Sequence, residues 1–138
     1  MPMATINIAK IMIPKITTRV LHDSDTVRQS LEAMQYHGYS SIPVVDSHER
    51  FVGCVTEGDF LRYVMANENA EKKYLETAKI GEIINKERFK AVPITAETDL
   101  IIQMITNQNF VPIVDDRNVL CGILTRKAVI QELANQTK

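Results

Sequence analysis

Slid along itself by 69 positions, the chain sets residues 42–65, IPVVDSHERFVGCVTEGDFLRYVM, over residues 111–134, VPIVDDRNVLCGILTRKAVIQELA. Five of the 24 pairs are identical: Pro43/Pro112, Val45/Val114, Asp46/Asp115, Gly53/Gly122 and Thr56/Thr125. Ten more set one apolar residue against another. Upstream the offset becomes 72, with Ile8, Ile11, Met12 and Val20 over Ile80, Ile83, Ile84 and Val92. The second copy therefore lacks three residues in its first helix or in the loop after it. A period near 70 is too long for a solenoid and marks one small unit duplicated.

Each copy reads as β-α-β-β-α. ITTRVL (16–21) and KAVPI (90–94) are short, β-branched and apolar, which predicts strands. Asp25-Thr26 leads a helix whose Val27, Leu31 and Met34 share a face, matched by Ile101, Met104 and Ile105. IPVV (42–45) and FVPIV (110–114) suit buried strands, and DSHER and DDRN turn the chain into FVGCVT and VLCGILT. The closing helices are expected to bury Phe60, Leu61, Val64 and Met65, and Val129, Ile130, Leu133 and Ala134. Repeat 1 spans 8–66, a polar helical linker 67–79, and repeat 2 spans 80–135. A unit of under ~70 residues buries too little surface to stand alone. The fold class is α/β (α+β): two βαββα repeats expected to pack through their sheets about a pseudo-twofold axis, leaving two equivalent clefts.

The 138 residues carry a net charge of −1, which recruits neither nucleic acid nor an anionic membrane. No apolar run approaches the ~18–20 residues that span a bilayer, and the amino terminus lacks the pattern of a signal peptide. Cys54 and Cys121 stand apart in apolar surroundings and read as buried, reduced thiols of a cytoplasmic protein.

Two turns carry the chemistry. In TEGD, Thr56 ends a strand and opens a helix, and Asp59 follows at the third helical position. That spacing is a helix N-cap. A carboxylate beside a hydroxyl also suits the vicinal hydroxyls of a sugar. In TRK, Arg126 and Lys127 occupy a first turn where the helix dipole disfavours cations by about 0.3–1 kcal/mol each. An anion such as phosphate held by the free N–H groups and these two bases would reverse that penalty. The alternative is two solvated bases on a surface helix.

The duplicated h-P-h-V-D and G-h-h-T patterns, with T-x-x-D at Thr56/Asp59, resemble a tandem pair of CBS domains, a Bateman module, over about residues 8–135. The resemblance implies a regulatory protein that binds an adenosine-containing ligand: AMP, ADP, ATP, S-adenosylmethionine or cyclic di-AMP. It further implies a homodimer that signals to an effector protein in trans, without a cofactor. In the family, the threonine and aspartate of one repeat hold the ribose, and the first strand and pre-h-P loop of the other sandwich the adenine. Carried over, Thr56 and Asp59 would face Lys90, Ala91 and Val92 with Phe110, Val111 and Pro112. Thr125 and Arg126 would face Thr17, Thr18 and Val20 with Tyr39, Ser40, Ser41 and Ile42. Ala128 departs from the family, standing where a second aspartate would be. A T-R-(R/K) turn opposite a G-Y-(S/T) loop is similar to members that bind cyclic di-AMP.

Against an enzyme stand three histidines (His22, His37, His48) without metal-ligand spacing, and the absence of a phosphate-cradling G-x-x-x-x-G-K. A ligand-free dimerisation or docking scaffold is the other alternative.

Overall fold

The computed structural model describes residues 5–38, 40–68 and 74–136. In chain order these form α1 (Ile8–Ile11), β1 (Ile13–Pro14), β2 (Leu21–His22), α2 (Val27–His37), β3 (Ser41–Val45), β4 (Phe51–Thr56) and α3 (Glu57–Ala66). There follow α4 (Tyr74–Thr77), β5 (Val92–Pro93), α5 (Thr98–Asn107), β6 (Phe110–Val114), β7 (Leu120–Thr125) and α6 (Arg126–Gln136), with 3-10 turns at Lys15–Thr17 and Ile80–Glu82. The protein is mixed α/β.

The chain divides into two compact units whose boundaries cut across the sequence repeats. One is Arg19–Arg88; the other joins Met1–Thr18 to Phe89–Lys138. In the first, the sheet order is β2-β3-β4. In the second it is β1-β7-β6-β5, with β1 antiparallel to β7. The leading segments have been exchanged. Ile6 and Ile8 are buried with Val92, Ile101, Val111, Leu124 and Val129 of the second repeat. Ile80 and Ile84 are buried with Leu21, Val27, Val44 and Phe60 of the first.

The two glycines shared by the copies mark where these segments pass. A β-carbon on Gly122 would run into the main-chain carbonyl of Ile13. One on Gly53 would meet Ile84 Cδ1 at 3.2 Å and Lys86 Cα at 3.5 Å. The shared aspartates are explained by their turns. Asp46 Oδ1 accepts the N–H groups of His48 (2.8 Å) and Arg50 (3.0 Å). Asp115 Oδ1 accepts those of Arg117 (2.8 Å) and Val119 (2.9 Å). Each such Asx turn holds one residue left-handed, Glu49 and Asn118, both at φ 65°.

Helix α2 begins at a capping box, in which Gln29 N–H donates to Thr26 Oγ1 at 3.0 Å and Thr26 N–H donates to Gln29 Oε1 at 2.9 Å. It ends at Gly38, whose φ of 69° suits a left-handed cap. Three sequence expectations are corrected. The first strands shrink to Leu21–His22 and Val92–Pro93. Thr17 and Thr18 bend their hydroxyls back onto the Pro14 carbonyl (3.1 and 2.9 Å), which favours a 3-10 turn over an extended strand. The closing helices are less buried than expected: Phe60 and Val129 lie in cores, whereas Leu61 (61% exposed), Val64, Met65 (63%), Ile130 (58%) and Ala134 lie outside. Successive residues of a helix point about 100° apart, so Leu61 after Phe60 and Ile130 after Val129 turn out of the core. The expected linker helix over 67–79 is one turn, Tyr74–Thr77, where described; residues 69–73 lie outside the described residues.

Candidate functional site

Thr56 is the last residue of β4 and the N-cap of α3. Its N–H donates to Asp59 Oδ2 (2.8 Å), its hydroxyl donates to the same oxygen (3.1 Å), and it accepts the Asp59 N–H at 3.3 Å. The capping and the ligand-reading hypotheses thus describe one object, because a capping box draws the carboxylate in against the hydroxyl. Asp59 is 3% exposed. Its other oxygen accepts from Arg62 Nη2 at 2.7 Å, and Arg88 Nη1 lies 4.0 Å away. Arg88 also donates to Thr56 Oγ1 at 2.9 Å. Beside the carboxylate opens a cavity of about 300 Å³ lined by Asp59, Arg62, Tyr63, Ala78, Glu82 and Ile83.

Other residues singled out in the sequence gather at this turn within the same unit. Ser41 pairs with Thr56 across β3 and β4, and Ser40 is exposed with its carbonyl accepting the Glu57 N–H at 3.1 Å. Ile42 is 1% exposed and belongs to the core, and Val20 is half-buried. Tyr39 lies outside the described residues.

The second turn is built alike but wired differently. Phe110 pairs with Thr125 across β6 and β7, Asn109 O accepts the Arg126 N–H at 3.0 Å, and Thr125 Oγ1 accepts the Ala128 N–H at 3.1 Å. With Ala128 in place of an aspartate, no carboxylate closes this box. Arg126 anchors one helix to another, since its Nε donates to the Ile105 carbonyl at 2.9 Å, in the last turns of α5. A cation there faces the negative end of that helix, which offsets its poor placement at the start of α6. Lys127 is exposed. Thr17 is exposed and Thr18 half-buried, in the 3-10 turn packed beside β7 and so in the same unit as Thr125.

Among the segments expected to sandwich a base, Lys90 is exposed and Ala91 half-buried, whereas Val92, Phe110, Val111 and Pro112 are buried. Gln108, passed over in the sequence, holds these segments together. It is 8% exposed; its Oε1 accepts the Lys90 N–H (2.9 Å), and its Nε2 donates to the carbonyls of Lys90 (3.2 Å) and Phe110 (3.1 Å). A ring stack of Phe89 on Phe110, centroids 4.9 Å apart, closes the same corner. Arg62 and Arg88 also join the turn from outside the residues expected from the sequence. Arg62 had a signal, three residues after Asp59 on one helix face; Arg88 had none, being 32 residues from Thr56.

The thiols take no part. Burial, with the Asp59 charge adding, pushes Cys54 far above the usual thiol range, and burial with Asp115 raises Cys121. Both stay protonated at neutral pH. Among the described residues no three potential metal ligands cluster, and no helix is long and apolar enough to cross a membrane.

The family model for the CBS domain matches residues 8–66 and again 80–135. The chain belongs to the CBS-domain family. The tandem pair is 31% identical over 108 residues to an inosine-5'-monophosphate dehydrogenase of Methanocaldococcus jannaschii, covering 78% of this chain and 20% of that protein. It is 26% identical over 112 residues to cyclic di-AMP receptor B of Bacillus subtilis, covering 79% of this chain and 74% of the receptor. The chain thus spans about a fifth of the dehydrogenase and three quarters of the receptor. Among solved structures, CbpB in complex with c-di-AMP superposes with a TM-score of 0.86 at 20% identity, covering 97% of this chain and 91% of CbpB. CBSX2 in complex with AMP gives 0.74 at 23% identity, covering 96% and 98%. These two likenesses establish the tandem CBS fold.

Proposed function

We propose that this CBS pair is a regulatory sensor of an adenine nucleotide, with AMP, ADP, ATP and cyclic di-AMP as the candidates. The observation that carries the reading is Asp59: a buried carboxylate coupled to a threonine hydroxyl at the wall of a cavity, with a guanidinium alongside. A carboxylate can accept both hydroxyls of a ribose, and guanidinium groups favour an attached phosphate. The relatives named for cyclic di-AMP and the neighbour bound to AMP support the same ligand class. Lys127, exposed in the first turn of α6, would serve a phosphate at the second turn, with Arg126 better read as an anchor. Signalling to an effector protein would follow from the ligand's different affinities for two arrangements of the protein, since equal affinities shift nothing.

A thermal-shift panel tests the reading. A ligand at 100 times its dissociation constant stabilises by about 2.7 kcal/mol, which raises the melting temperature by roughly 8 °C in a domain of this size. At least one of AMP, ADP, ATP and cyclic di-AMP is expected to do so. No shift with any of them at millimolar concentration would leave the scaffold reading, which the exposed Leu61, Met65 and Ile130 favour on their own account.

Those residues also support a homodimer, in which a second copy covers the apolar faces of α3 and α6. Leu61→Glu with Ile130→Glu is expected to convert a dimer to monomer in sedimentation velocity. A parent protein already monomeric at 50 µM, on the order of a weak interface's dissociation constant, would remove the proposal.

A further inference from the structure

Thr56 has no hydrogen-bonding capacity left for a ligand. A hydroxyl offers one donor and two acceptor positions. The donor goes to Asp59 Oδ2 at 3.1 Å; the acceptors take the Asp59 N–H at 3.3 Å and Arg88 Nη1 at 2.9 Å. Asp59 is similarly engaged, Oδ2 by two groups of Thr56 and Oδ1 by Arg62 at 2.7 Å. Two of these partners, the Thr56 and Asp59 main-chain donors, belong to the helix cap and are fixed. Arg88 is different. Asp59 already has a close cation in Arg62, so Arg88, at 4.0 Å, is not needed to neutralise it. Arg88 comes from a turn 32 residues away and 37% of its side chain is exposed. Its Nη1 stands over Thr56 Oγ1 where a sugar hydroxyl bonded to that atom would have to stand.

We infer that Arg88 is an internal competitor of the ligand: its guanidinium fills the hydroxyl-reading position at Thr56, and a nucleotide binds there only after displacing it. The inference rests on the reading of Thr56 and Asp59 as a ribose site. Arg88 thereby sets the affinity of that site from outside the helix that forms it. It is also the last residue of the unit Arg19–Arg88, and the chain passes directly from it into Phe89 of the other unit. Displacement therefore frees a side chain on one of the two covalent connections between the units, a segment well placed to report a bound state.

Competition of this kind multiplies the affinity by the fraction of molecules in which the site is open. If Arg88 occupies Thr56 in about 80–90% of molecules, its removal tightens binding about five- to tenfold. Isothermal titration with AMP and with cyclic di-AMP is to be run on the full chain, on Arg88→Gln, on Arg88→Lys and on Asp59→Ala, each first shown folded by circular dichroism. Arg88→Gln is expected to bind more tightly than the parent, and Arg88→Lys, which lacks the planar fork, to a smaller extent in the same direction. Asp59→Ala is expected to bind far more weakly. Should Arg88→Gln bind equally or less tightly while Asp59→Ala loses binding, the competitor is refuted and the ribose site stands. With adenosine titrated in parallel, a loss for AMP without a loss for adenosine in Arg88→Gln would make Arg88 a phosphate contact and equally refute it. Asp59→Ala binding like the parent, or no protein binding either probe, would overturn the ribose reading and this inference with it.

Discussion

Gly122→Ala is expected to destabilise the protein by about 3 kcal/mol, and Gly53→Ala, its counterpart in the other repeat, by only about 1. Both glycines sit in the third strand of a βαββα repeat and both lie under a leading segment brought from the other repeat. The obstacle differs. Over Gly122 it is the Ile13 carbonyl, main chain held by the antiparallel pairing of Ile13 with Ile123 and Pro14 with Gly122. A methyl group there can be accommodated only by lifting β1 off β7, which strips ladder hydrogen bonds and loosens Ile8 from its core. Over Gly53 the nearest atom is Ile84 Cδ1 at 3.2 Å, the far end of a flexible side chain that shifts by a few tenths of an ångström. Urea denaturation of the two variants decides the matter. Equal losses, or a larger one at Gly53, would show that the leading segment does not press on Gly122 as described.

Asp59→Ala is expected to have the largest effect on binding, about a hundredfold loss of affinity for the nucleotide that stabilises the parent. Oδ2 is filled by the two Thr56 donors, and Oδ1 keeps one acceptor position beside Arg62. A hydroxyl bond to such a charged acceptor contributes up to about 3 kcal/mol, and about 1.4 kcal/mol is a factor of ten. The same change removes half of the capping box of α3, which costs about 1 kcal/mol of stability. Thr125→Ala separates the two effects. It removes the cap of α6, where Thr125 Oγ1 accepts the Ala128 N–H, without touching a carboxylate. Comparable stability loss in both variants with binding lost only in Asp59→Ala assigns the carboxylate to the ligand. If titration calorimetry finds Asp59→Ala within threefold of the parent, the ribose assignment is wrong.

The contrast between the two turns shows how far a sequence can be read. TEGD and TRKA differ in letters that carry plain chemistry, an acid where the other has bases, and the folded protein keeps that difference: a closed capping box at Thr56, an open one at Thr125. What the letters did not reveal is where the long side chains go. Arg126 bends to the last turns of α5, and Arg88 crosses from the end of its unit to Thr56. Gln108 is similar, a polar residue whose three hydrogen bonds to Lys90 and Phe110 exist only once those segments are neighbours.

By itself the amino-acid sequence determined the duplication, the order of strands and helices within each copy, the threonine turns and the family. All of these follow from local patterns: hydrophobic period, capping spacing, and turn residues. Only the tertiary structure decided which sheet receives each leading segment. Residues 6–12 and 80–84 present nearly the same apolar face, and two homologous sheets offer nearly the same seat. Local pattern is therefore degenerate between a segment staying with its own repeat and exchanging with the other. Chain connection and the close passage over Gly53 and Gly122 break that degeneracy, and both are properties of the folded chain.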